Sequence, residues 1–185
     1  MVVSASVLVS LSLHASQGST AHTCQQSVST FLDNPNKSTL AALSGLRDST
    51  CWDVIGSSNT DLNRLNEWAE KGNPWAAQYV ANHLKRLDGG NLEDALRALG
   101  QFSEHDMEGL LILASRGGLS SGELTDALTM LPLNLGDDSA AQLKALAARR
   151  ELVMGVTRKD LAQQKAEALK AIDDFASEIR AKSNR

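Results

Sequence analysis

Apolar residues between Leu62 and Leu99 recur at three- and four-residue spacing, and each run ends in glycine or a glycine pair. Leu62, Leu65, Trp68 and Ala69 share one face of a first helix, with Thr60 its predicted N-cap, whose hydroxyl can accept an orphan backbone N–H. Gly72 follows Lys71, the order expected at a helix end, where a residue tolerant of positive φ follows a cation facing the negative dipole end. Asn73-Pro74 restarts the chain, with Asn as cap and Pro at the first helical position, where its missing N–H costs nothing. Ala76, Ala77, Val80, Ala81, Leu84 and Leu87 then form the apolar face of a second helix. Gly89-Gly90-Asn91 breaks and recaps, and Leu92, Ala95, Leu96 and Leu99 form the third. Turns this tight make consecutive helices antiparallel hairpins.

The same grammar continues to the end of the chain. Ser103 is expected to cap a helix through Met107, Leu110, Leu111 and Ala114 that stops at Gly117-Gly118. Ser120 and Glu123 have capping-box spacing, and Leu124, Ala127, Leu128 and Leu131 follow until Pro132. Asp137 or Asp138 opens a longer helix through Leu143, Leu146, Ala147 and Arg150, and Thr157 with Asp160 opens the last. The stripe of that last helix, Leu161, Ala168, Leu169, Ile172, Phe175, Ala176 and Ile179, is rich in small alanines, which suits packing along its own domain. The expectation is an all-α chain of roughly eight to ten helices in antiparallel hairpins, closed as a short solenoid-like stack or as a bundle.

Leu65, Ala69 and Gly72 recur as Leu110, Ala114 and Gly117, an offset of 45 positions that falls in the range of helical repeats. The segment AEKGNPWAAQYVANHL followed by DGGNLEDALRAL, through Ala69, Gly72, Ala77, Tyr79, Leu84, Gly89, Asp94 and Ala95, resembles one degenerate unit of the Sel-like repeats, relatives of the tetratricopeptide repeat. That resemblance covers about a fifth of the chain and implies a stacked helical scaffold that binds other proteins.

Ahead of this region, residues 1–21 read as a signal peptide. Val2–Leu13 is apolar but too short to span a bilayer, which takes about 20 residues, and Ser19-Thr20-Ala21 offers the small residues of a cleavage site. No Lys or Arg precedes the apolar stretch, a departure from the usual pattern that also fits a misplaced start codon. Both cysteines, Cys24 and Cys51, follow the cleavage site, and an even pair in an exported chain is most simply one disulfide. It would staple a helix around Gln25–Leu32 to the segment around Trp52. Residues 22–185 then form a single helical domain, periplasmic or secreted, with no stretch long enough for a membrane span and no proline-rich linker.

Charge narrows the partners. His22–Leu143 holds 8 basic and 16 acidic residues, whereas Lys144–Arg185 holds 10 and 6, so the net charge of −4 is unevenly spread. The acidic middle disfavours nucleic acid, whose affinity is built on Lys and Arg, and suits a basic protein surface. Asp88, Glu93, Asp94, Glu104, Asp106 and Glu108, against Arg97 alone in that interval, are the candidate partner-binding residues, with Trp75 as an exposed aromatic anchor. Trp68 is expected in the core and Trp52 over the disulfide.

No catalytic, cofactor-binding or metal-binding residues stand out. In Glu104-His105-Asp106 adjacent side chains point in different directions, and no GxSxG, HExxH or phosphate loop occurs. The aromatic content of 4% gives little material for the platforms of a sugar-cleaving cleft. The chain therefore reads as an exported protein-binding module without enzymatic activity. By type it is similar to periplasmic immunity proteins that occlude a cognate antibacterial toxin. An envelope scaffold or adaptor is the second reading and a peptidoglycan-active enzyme the third; a homodimer is compatible with each.

Overall fold

The computed structural model describes the backbone of residues 12–46 and 48–183, and the side chains of residues 23–46 and 51–183. Ten α-helices and three short 3-10 turns, with no strand, make up its regular structure among the described residues. The all-α expectation holds. The chain divides into two compact units, Met1–Ser58 and Asn59–Arg185, at a boundary the sequence pattern does not mark.

The first unit contains α1 (Ser12–Asp33), α2 (Lys37–Ser44) and α3 (Asp48–Gly56). The apolar start on which the signal-peptide reading rests lies mostly outside the described residues, and its predicted cleavage point falls within α1. Cys24 of α1 is bonded to Cys51 of α3 across a Cα–Cα distance of 4.9 Å, and both are fully buried. This is the staple the two cysteines predicted. Val28, Phe31 and Leu32 of α1, Leu40 and Leu43 of α2, and Trp52 and Ile55 of α3 are buried with them. Asn36 caps α2 in a reciprocal capping box with Thr39. The Trp52 indole lies against Gly56, one turn along α3, where an added Cβ would stand 3.2 Å from Nε1.

The second unit is built around one helix. Its helices are α4 (Asn59–Glu70), α5 (Pro74–His83), α6 (Gly89–His105), α7 (Met107–Ser115), α8 (Ser121–Thr129), α9 (Ser139–Gly155) and α10 (Ala162–Ser183). In α6, Ala95, Leu96, Ala98, Leu99, Gly100, Phe102 and Ser103 are all buried, while Glu93, Asp94 and Glu104 are exposed and Arg97 and Gln101 half-buried along the remaining face, so the helix is amphipathic with a wide buried side. Its small residues let neighbours approach closely. Alternate helices form two layers: α4 packs on α6, α6 on α8 and α8 on α10, while α5 meets α7 and α7 meets α9. The alanine-rich stripe of α10 packs on α8 and α9, within its own unit, as expected.

The turn chemistry agrees with the sequence at most joints. Gly72 has φ +84°, and Asn73 N–H donates to Trp68 O while its side chain caps α5. Forty-five residues on, Gly117 has φ +79° and Gly118 N–H donates to Leu113 O. Ser120 and Glu123 form their capping box, and Asp138 caps α9.

Five expectations are corrected. Thr60 lies inside α4, not at its cap. The break before α6 falls at Leu87-Asp88, so both glycines belong to its first turn. Ser103 caps nothing: α6 continues past Leu99 to His105, Ser103 is buried within it, and its hydroxyl donates to Gly100 O. The cap of α7 is Asp106, which accepts from Gly109 N–H, with Gly109 leaving room for the carboxylate. The start of α10 is preceded by a 3-10 turn over Lys159–Leu161, with Thr157 outside it. Trp68 is half-buried rather than fully enclosed.

Two outcomes are expected. Replacing Cys24 and Cys51 by Ser removes the constraint on a loop of sequence separation 27. The loss is roughly 3 kcal/mol in the chain-entropy account, and hydrogen exchange should show faster opening confined to α1–α3. Glu70, at the end of α4, has its carboxyl pKa raised from the ordinary 4.5, first by burial and then by Glu67, with Arg97 and Lys71 opposing and Asp94 adding to the rise. The folded state therefore holds this proton more tightly than the unfolded state. Its contribution is favourable below pH 4.5 and is lost as pH rises through the folded value. Relative to Glu70→Gln, wild-type stability should fall across that window and level above it, as read by urea titration at several pH values.

Candidate partner-binding site at the end of α8

Arg149 is the largest fully buried side chain among the described residues, and it sits on α9 between Leu146 and Val153. Those positions are one turn apart on the same face, so a guanidinium stands where the pattern calls for an apolar residue. Its Nη1 donates to three carbonyls at the end of α8: Leu128 at 2.9 Å, Met130 at 3.2 Å and Ala127 at 3.4 Å. Nε and Nη2 both donate to Glu104 Oε1 of α6, at 3.1 and 2.9 Å. A cation thus sits at the negative end of a helix dipole and satisfies carbonyls that have no partner within that helix. Burial pulls the Arg149 pKa down, while Glu104 supports the charged form. Gly100 completes the joint, since a Cβ there would collide with Ala127 O.

This clamp fixes the segment leaving α8. Met130-Leu131-Pro132-Leu133-Asn134-Leu135 is almost wholly apolar, with Leu133–Leu135 in a 3-10 turn. Arg149 holds its first residue through Met130 O, and Gln142 Nε2 holds its end through Leu135 O and Gly136 O, both at 2.9 Å. Between these anchors Leu133 is 76% exposed, far more than any other large apolar residue described. With Leu133 on its lining lies a cleft of about 370 Å³, lined also by Met130, Leu131, Phe175, Asp126, Thr129 and Gln142.

The acids singled out from sequence do not form one patch. Asp88, Glu93 and Asp94 lie at the start of α6, and Glu104 is its next-to-last residue, about 24 Å from Asp88 along the helix axis. Glu104 pairs with Arg149, Glu108 with Arg158 at 3.6 Å, and Asp94 with Arg97 at 2.6 Å. Asp106 is the α7 cap. Asp88 and Glu93 are exposed and pair with no cation among the described residues. Trp75, in the first turn of α5, is half-buried. Sequence reading passed over Arg149 and Leu133. The available signals were a charge inside the Leu146–Val153 stripe and an unbroken apolar run straddling a proline.

Among the described residues no three His, Cys, Asp or Glu side chains converge as a metal site, and no helix is long and apolar enough to cross a membrane. No known protein family, curated protein or solved structure matches the chain.

Removing the clamp should be costly. Arg149→Ala strands the α8 carbonyls and the Glu104 charge, with an expected loss of about 3–5 kcal/mol in urea unfolding. Glu104→Gln keeps an acceptor on a half-exposed side chain and should cost clearly less. Gly100→Ala, stabilising in an isolated helix, should here destabilise by about 1–3 kcal/mol through overpacking.

Proposed function

We propose that this chain is an exported protein-binding module that engages its partner through the cleft beside Leu133. The observation that carries the reading is a large apolar side chain held in water by a loop anchored at both ends. A free loop of this composition would fold its leucines inward, because an exposed Leu forgoes about 1.5–3 kcal/mol of burial. A partner that covers Leu133 recovers that energy and meets a loop already ordered, so little entropy is lost on binding. Export is supported by the buried disulfide, which forms and persists in oxidising compartments.

Within this class, an inhibitor that occludes a cognate toxin is the narrower reading, supported by the acidic balance of His22–Leu143 and the exposed Asp88 and Glu93. The alternate-helix layering of α4, α6, α8 and α10 favours the scaffold reading, in which a stack presents one extended face.

The test is affinity capture of the oxidised chain from envelope extract of its source. Each retained protein is identified by mass spectrometry, then purified and titrated. The expected result is a purified partner whose affinity falls at least tenfold with Leu133→Asp, while the variant keeps the wild-type circular dichroism and unfolding midpoint. One stoichiometric hydrolase or pore-forming partner supports the inhibitor; several weaker envelope partners support the scaffold. Unchanged binding by Leu133→Asp would place the interface elsewhere.

A further inference from the structure

The cleft beside Leu133 does not end there. A second hollow of about 380 Å³ runs between α8 and α10 and shares Thr129 and Phe175 with the first. On α8 it is lined by Ser121, Thr125 and Thr129, spaced four residues apart along one face. On α10 it is lined from Glu167 to Glu178, about 16 Å or three turns of helix. The two hollows form one trough with an apolar end at Met130, Leu133 and Phe175 and a polar length beyond it.

The charge of that trough runs against its surroundings. The chain from Lys144 onward is basic overall, with 10 basic and 6 acidic residues. Yet Glu167, Asp174 and Glu178 line the trough from α10, and Asp126 adds a fourth acid from α8. Lys170 is the one cation lining it among the described residues, and it is engaged by Asp174. Asp126, Asp174 and Glu178 are exposed and Glu167, which accepts from Gln163 Nε2, is half-buried, so the acidic edge of the trough faces whatever enters. A groove between two helices with an apolar end and acidic rims has the shape and polarity of a helix-in-groove receptor.

We infer that the α8–α10 trough accepts a cationic amphipathic helix of the partner, seating an apolar side chain beside Leu133 and Phe175 and setting Lys or Arg against Glu167, Asp174, Glu178 and Asp126. The inference rests on the proposed partner-binding role and names the chemistry of what binds. The anchor supplies affinity. The acids supply orientation and rate of encounter, and they reject an acidic helix of the same apolar pattern.

The test uses the full oxidised chain and fluorescence anisotropy with a labelled, amidated Leu/Lys peptide of about 14 residues, leucines at helical spacing, long enough to follow the trough. A Leu/Glu peptide of identical pattern and a Leu-free Ser/Lys peptide serve as controls. The expected result is saturable one-to-one binding of the Leu/Lys peptide, at least tenfold tighter than either control. Leu133→Asp should weaken it at least tenfold. Glu167→Gln with Glu178→Gln, both away from the Arg149 clamp, should weaken it several-fold and flatten its salt dependence. Equal affinity for the Leu/Glu peptide, or affinity unmoved by either variant in folded protein, would overturn the inference. So would a concentration-dependent dimer, seen by sedimentation and lost in Leu133→Asp, since a second copy would then own the site. If a captured partner depends on Leu133 while the Leu/Lys peptide does not bind, the occupant chemistry is wrong and the partner-binding role stands. If neither depends on Leu133, both fail.

Discussion

The second unit depends on the placement of one buried guanidinium. An arginine out of water is costly unless its donors are used, and Arg149 uses them on two helices other than its own: Glu104 of α6 and the carbonyl end of α8. The arrangement couples three segments distant in sequence at a single point. Gly100 is tied to it, because α8 can bring Ala127 O to the surface of α6 only where no Cβ intervenes. The alanines of α6 and Ser103, whose hydroxyl is satisfied inside its own helix, belong to the same close approach.

From that point the geometry of the cleft follows. Met130 O is one of the three carbonyls Arg149 holds, so the first residue of the apolar loop is fixed by the same group that orders the core. Gln142 fixes the far end from α9, the helix that carries Arg149. Pro132 stiffens the middle by restricting φ. These anchors hold the loop in the conformation in which Leu133 is exposed. The fold and the candidate site draw on one set of interactions, so damage to the clamp would loosen the cleft along with the core. Stability must be measured beside binding in any variant near α8.

Much of this fold could be read from the chain because its signals are local. Asn73-Pro74, Ser120 with Glu123, Asp138, and the glycines at 72 and 117 act within one turn, and each does in the structure what its chemistry dictates. Misreadings occurred where tertiary contact overrides local preference. Ser103 resembles a cap, which ends the third helix early; the structure keeps it inside α6, together with Gly100, where α8 needs the space. The acids failed as a patch for a related reason. Neighbours in sequence are spread over the length of α6 and into α7, where Glu104, Asp106 and Glu108 serve Arg149, a cap and Arg158.

The acidic trough shows the converse. Its charges come from Asp126 and, across the whole of α9, from positions 167–178, the latter inside a region whose summed charge is positive. Regional charge counts see only the sum, whereas a binding partner sees the few charges that share a face within about 8 Å, the screening length at physiological salt. On α10 the basic residues Arg180 and Lys182 lie in the last turn, where they complement the helix dipole, and Lys170 pairs with Asp174, so acids outnumber cations along the wall of the trough. Any partner designed or sought for this surface should be chosen against the local field of that wall, not against the net charge of the chain.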